Sequence, residues 1–174
     1  MKDWGLVLGP GASANRQQPA LIAIDDAVVS LGVKVERIDL PRGKAERAIP
    51  AMVRAAAKLD VEHVLLGGRS FGGRVASMAV AAGEVPNAAG LVLVSYPLGK
   101  GAKARAHHLP DITVPCLFVS GTRDNFCTPD ELSAAAATIP AEVTHVWIEG
   151  GNHGLRGKDA EVAAAVRAWV VALS

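Results

Sequence analysis

Cysteine, aromatic residues and net charge are all scarce in this chain of 174 residues, and each scarcity excludes something. Two cysteines, Cys116 and Cys127, without CxxC spacing, are too few for a disulfide framework. They fit a reducing, cytoplasmic setting. Aromatics make up only 4% of the residues. The 18 Lys+Arg residues against 17 Asp+Glu leave a formal charge of +1, which supplies no global field for nucleic acid or anionic membrane. No apolar run approaches the ~20 residues of a spanning helix. After Lys2, the apolar stretch Trp4–Leu8 is ended by Gly9-Pro10-Gly11, too soon for a signal-peptide core. With half of its residues hydrophobic, the chain is too apolar for a disordered one, and its length predicts one domain across 1–174.

What is present is a regular alternation. Short apolar runs predict strands at Trp4–Leu8, Val33–Ile38, Val61–Leu66, Leu91–Ser95, Cys116–Ser120 and Val143–Ile148. Several are continuously apolar, as strands covered on both faces are. Longer segments between them predict helices over Pro19–Leu31, Lys44–Leu59, Phe71–Ala82, Pro129–Ile139 and Asp159–Leu173. Thr128-Pro129-Asp130-Glu131 carries an N-cap hydroxyl, a proline at N1 and a glutamate at N3. The 31 alanines suit thin helices laid closely on a sheet. This alternation predicts an α/β fold in three α/β/α layers around a six-stranded, mainly parallel sheet, with ligands at the carboxyl ends of the strands.

The chemistry-bearing residues fall at those ends. Gly68-x-Ser70-x-Gly72 follows the third predicted strand and opens a helix. A serine on so sharp a turn needs small neighbours two residues away, and its hydroxyl then stands at a helix N-terminus that favours a developing oxyanion. Asp124 follows the fifth strand and His153 the sixth, so a base and its orienting acid come in the order this turn requires. For the oxyanion, the N–H of Phe71 is one candidate donor; the second falls in the loop after the first strand, at Ala12 or Gly11, because Pro10 has no N–H. Gly11, Arg69 and Tyr96 are candidate substrate contacts. Arg69 equally suits a tie between loops, and Tyr96 equally suits a packed anchor.

With these motifs in hand, nearly the whole chain resembles a minimal α/β-hydrolase. It is similar to the small branch related to subunit 3 of the NSL histone-acetylation complex and, more distantly, to dienelactone hydrolases. The resemblance implies strand order 2-1-3-4-5-6, Ser70 as nucleophile, His153 as base and Asp124 as its partner. It also implies an acyl substrate, with no metal or organic cofactor. The chain departs from the pattern in lacking two initial antiparallel strands and a full lid between Pro97 and Thr113. It also has Ser70 where dienelactone enzymes carry cysteine, and Pro10-Gly11 where His-Gly is common.

A serine hydrolase acting on an ester or thioester is therefore expected. The alternatives are a non-catalytic interaction module of the same fold, since relatives include complex-building proteins, and a nucleotide-binding α/β protein. Gly9-x-Gly11-x-x-Ala14 fits a degenerate dinucleotide fingerprint. Gly68-x4-Gly73 lacks the lysine and Ser/Thr of a P-loop. His107-His108, with Lys100, Lys103 and Arg105, reads as a solvated basic loop or as a cover for the crevice that helps bind an anionic group. His63 and His145 lie in strand runs and read as structural, and Cys127 reads as a small buried hydrophobe.

Overall fold

Each predicted run becomes a strand, and in the four central ones, covered by helices on both faces, alternate side chains feed two separate cores. The computed structural model describes residues 1, 3–99 and 103–173; Lys100 and the side chain of Lys103 lie outside what is described. The strands are β1 (Trp4–Gly9), β2 (Lys34–Arg37), β3 (His63–Arg69), β4 (Ala88–Val94), β5 (Cys116–Gly121) and β6 (Val143–Ile148). They form one sheet in the order β2-β1-β3-β4-β5-β6, with every pair parallel. This is the order implied by the family resemblance.

The helices are α1 (Pro19–Val29), α2 (Ile49–Lys58), α3 (Phe71–Ala81), the short α4 (Lys103–Ala106), α5 (Pro129–Ala136) and α6 (Asp159–Leu173). Val64 and Leu66 of β3 point into a core shared with α2, α3 and α5, while Leu65 points into the opposite core with α1 and α6. The same division separates Leu91 and Leu93 from Val92, and Phe118 from Leu117. A period of two over continuously apolar strands is what two-sided burial demands.

Two helices fall three or more residues short of what the periodicity predicts, while α1 and α3 end one or two residues early. The segment expected from Lys44 divides into a 3-10 turn, Ala45–Arg47, and α2, which begins only at Ile49. Pro50, in the first turn of α2, has no N–H and crowds the backbone before it, so no α-helix runs through it from residue 44. At the other end of the chain, α5 stops at Ala136 instead of Ile139; the Thr138 hydroxyl bonds the Ala135 carbonyl there, and Pro140 follows. Its start is as expected. The Thr128 hydroxyl accepts from the Glu131 N–H at 3.2 Å, and the Glu131 carboxylate accepts from the Thr128 N–H at 2.8 Å.

The order in which strands are added reverses at β1, which lies between β2 and β3, and this is where a crevice opens. The end of β1 locks into the turn after β3. A Cβ on Gly68 or on Gly72 would lie 2.0 Å from the Gly9 carbonyl oxygen, and the Gly72 N–H donates to the Pro10 carbonyl at 2.9 Å. Gly68 also has φ +144°, a region that side-chain-bearing residues rarely adopt.

This contact sets two effects against each other in Gly72→Ala. Helix propensity alone favours alanine by about 1 kcal/mol. The clash is with backbone, which cannot swing aside, and overpacking of this kind costs about 3 kcal/mol or more. Gly72→Ala is therefore expected to lower the urea unfolding midpoint clearly; an unchanged or raised midpoint contradicts the close packing.

Candidate active site

The site is assembled from the ends of three strands. β3 delivers Ser70 at φ +47° and ψ −105°, with its N–H donating to the Val94 carbonyl of β4 at 2.7 Å. Such a backbone costs a non-glycine residue about 1–3 kcal/mol and persists only where neighbours enforce it. Here they do: the interlock with β1 holds one side of the turn and the bond to β4 the other. Ser70 is the N-cap of α3, so its hydroxyl stands at the positive end of that helix.

Ser70 Oγ lies 2.9 Å from His153 Nε2. On the far side of the ring, His153 Nδ1 lies 2.8 Å and 3.1 Å from the two carboxylate oxygens of Asp124. The Asp124 carboxylate is withdrawn from water, with 1% of its side chain exposed, and accepts the Phe126 N–H at 2.8 Å. A carboxylate so held directs the imidazole hydrogen to Nδ1 and leaves Nε2 as an acceptor facing the serine hydroxyl.

Two further side chains fix the histidine. The Phe126 ring stacks on the imidazole with centroids 4.0 Å apart. Arg69 donates from its guanidinium to the His153 carbonyl, bridging the β3 turn to the β6 loop. Burial pulls the Arg69 pKa below its ordinary value, and the charges of Asp124 and Asp159 offset part of that shift. Phe126 was not singled out from the sequence. Its one signal was an aromatic, two residues after Asp124, in an otherwise polar loop.

Two recesses meet at Ser70. A cleft of about 540 Å³ includes Ala12, Ser70, Phe71, Arg74, Arg105 and Phe126 in its lining. A smaller recess of about 330 Å³ is lined by Gly11, Ala12, Arg69, Ser70, Phe126 and His153, among others. Among the described residues, the N–H groups of Phe71 and Ala12 have no protein acceptor. The Gly11 N–H does have one, bonding the Gln18 side chain at 3.0 Å. The Gly9–Ala14 turn also fails to open a helix, because α1 begins only at Pro19. A dinucleotide fingerprint needs that helix N-terminus directly after the glycines, so the loop does not have its geometry.

A family model described as an alpha/beta hydrolase domain matches residues 2–170. The chain belongs to this family. Among solved structures, this α/β hydrolase is similar to Est1E from Butyrivibrio proteoclasticus, with TM-score 0.85 and 18% identity over 99% of this chain and 88% of that one. It is also similar to dienelactone hydrolase from Anabaena variabilis, with TM-score 0.80 and 18% identity over 98% and 86%. At these identities the likeness is one of fold. A curated relative, the pimeloyl-[acyl-carrier protein] methyl ester esterase of Stenotrophomonas maltophilia, is 38% identical over 66 residues. That stretch is 38% of this chain and 26% of the relative, so the match spans about a quarter of the relative's length.

Two readings of the hydrolase's sequence need correction. Tyr96 lines neither recess at Ser70. It is fully buried, with its hydroxyl 3.0 Å from the Arg105 carbonyl and its ring edge-on to Phe118. Burial pushes its pKa up to about 12. Nor is the His107-His108 segment wholly solvated: His108 is only 7% exposed, with Nε2 2.8 Å from the Ser77 hydroxyl of α3 and 3.4 Å from the Tyr96 hydroxyl. Ser77 gives its proton to the Arg74 carbonyl and Tyr96 gives its own to Arg105, so the hydrogen on His108 sits at Nε2. His108 Nδ1 is then a buried acceptor with no partner among the described residues. A histidine just after Lys103, Arg105 and His107 looks solvated in sequence, and only its contact with α3 turns it inward. Cys127 is buried, its thiol pushed up to about 11 by desolvation, and His145 stacks between Phe118 and Trp147. Among the described residues no group of three His, Cys, Asp or Glu is placed to hold a metal ion.

Burial, with help from the charges of His107 and Arg74, pushes the His108 imidazole down to about 4 from its ordinary 6.5. Between those values the unfolded chain binds a proton that the native state does not, so native stability falls as pH drops through this window. His108 contributes about 2–3 kcal/mol of that fall. Urea unfolding at pH 7 and pH 4.5 should show a smaller loss for His108→Asn than for the parent; parallel losses would mean the ring is not held neutral.

Proposed function

We propose that this α/β hydrolase cleaves an ester or thioester of a small acyl compound through an acyl-enzyme on Ser70. The observation that carries the reading is the unbroken chain from Ser70 Oγ through both His153 nitrogens to Asp124, at 2.9 Å and 2.8 Å. In this mechanism His153 Nε2 takes the Ser70 proton as Oγ bonds to the substrate carbonyl carbon. The carbonyl oxygen, now negative, is held by the N–H groups of Phe71 and Ala12, which line the cleft beside Ser70. Collapse expels the alcohol or thiol, which leaves with the proton from His153. Water then gives a proton to the same nitrogen and attacks the acyl carbon, and the freed acid leaves Ser70 restored. Asp124 stays ionised throughout and stabilises the transient imidazolium. No group beyond water and the chain's own residues is required. The ester named in the description of the S. maltophilia relative agrees with this reaction class.

Labelling with a fluorophosphonate, followed by peptide mass spectrometry, tests the reading. A single adduct is expected on Ser70 and none on the Ser70→Ala protein. Asp124→Asn presents the wrong tautomer to the serine and should lower ester turnover by about 10⁴-fold. A cooperatively folded protein that takes no label would instead be a non-catalytic module of this fold.

A further inference from the structure

Resting on that acyl-enzyme reading, we propose that the acyl half of the substrate carries an anionic terminus, recognised by Arg74 and Arg105 in the larger cleft. Which half of the substrate lies where follows from the proton. The leaving group must come within hydrogen-bond reach of His153 Nε2, so it occupies the recess that His153 lines. The larger cleft contains Ser70, Phe71 and Ala12 but not His153, and it takes the acyl chain.

The larger cleft's charge is one-sided. Lys44, Arg74 and Arg105 line it against the single carboxylate of Glu46, in a chain whose formal charge is only +1. Among the described residues none of these three cations lies within 4.0 Å of a carboxylate. Arg74 is bound into the first turn of α3 by its N–H to the Ser70 carbonyl, at 3.0 Å, and so lies on the serine's side of that helix. Its Nε is buried with no hydrogen-bond partner. Arg105 donates to the Pro97 carbonyl at 3.2 Å and packs its guanidinium over Gly99. A cation drawn partly out of water without a counter-charge is destabilised, and a bound anion relieves it. One helical turn separates Ser70 from Arg74, so the anion sits about 6–8 Å from the scissile carbonyl, the reach of a short dicarboxylic monoester.

The test compares kcat/KM for the 4-nitrophenyl monoester of adipic acid with that for 4-nitrophenyl hexanoate. A second pair, 4-acetoxybenzoate and phenyl acetate, moves the carboxylate to the leaving group. The parent enzyme should prefer the adipate ester by about tenfold or more, as one charge-assisted bond allows, and the preference should shrink with added salt. Arg74→Gln and Arg105→Gln should each lower the adipate-to-hexanoate ratio. Because both esters are read on one preparation, the ratio is independent of how much variant folds. A parent ratio near one, a ratio unmoved in both variants, or a carboxylate preference confined to the leaving group would overturn the proposal. Turnover of neither 4-nitrophenyl ester by protein that takes the fluorophosphonate would overturn the substrate class alone. Loss of label as well would overturn the reading beneath it.

Discussion

The approach of the Gly9 carbonyl to the turn after β3 is the constraint on which the rest of this structure depends. Two glycines, Gly68 and Gly72, leave room for that oxygen on either side of Ser70. Their lack of side chains lets β1 and β3 pair through to Gly9 and Gly68 and places the Gly11–Ala12 loop beside the serine. The strained φ of Ser70 is then a consequence. A turn pinned to β1 on one side and to Val94 of β4 on the other has no slack in which to relax. The core pays for this strain with apolar strands buried on both faces.

The sheet edge works as a rigid frame for side chains supplied by separate loops. β5 and β6 bring Asp124 and His153 together because they pair in register to Gly121 and Ile148, after which a Cβ on Gly121 would lie 2.1 Å from the Gly151 carbonyl oxygen. A second layer then removes the remaining freedom. The Phe126 N–H fixes the carboxylate, its ring covers the imidazole, and Arg69 ties the His153 backbone to the β3 turn. Orientation of this kind matters because a hydroxyl–imidazole–carboxylate chain transfers protons only while all three groups stay aligned. Behind the site, His108, Ser77 and Tyr96 anchor the α4 segment to α3, which brings Arg105 to the cleft wall.

Much of this was legible because local rules and tertiary demands agree. Apolar runs marked the central strands β1, β3, β4 and β5, since a sheet covered on both faces admits little but aliphatic side chains. The edge strands β2 and β6 are mixed and half-exposed, and stood out by their β-branched residues and place in the alternation. The capping box located α5, and Gly-x-Ser-x-Gly pointed to the turn because its glycines answer a steric demand visible in one dimension. Boundaries drifted where proline intervened, at Pro50 and at Pro140, and where glycine interrupts an apolar run, so that β3 continues through Gly67-Gly68 to Arg69 and β4 begins at Ala88, before Gly90. The segment between β4 and β5 is the least legible. By sequence Tyr96 suits a substrate contact or a packed anchor equally, and it is core, while His108 groups with its basic neighbours and is buried.

Sequence by itself determined the layer architecture, the strand ends at which polar chemistry collects, and the residue types Ser70, Asp124 and His153. These follow from periodicity, turn sterics and chain order, each of which acts over a few residues. Only the tertiary structure decided how near those residues come and which loop N–H groups are free. It alone showed that Phe126 covers the histidine and that Arg74 and Arg105 face one cleft. Those outcomes depend on contacts between segments far apart in the chain, where no spacing rule reaches and only packing chooses among the arrangements that local preferences allow.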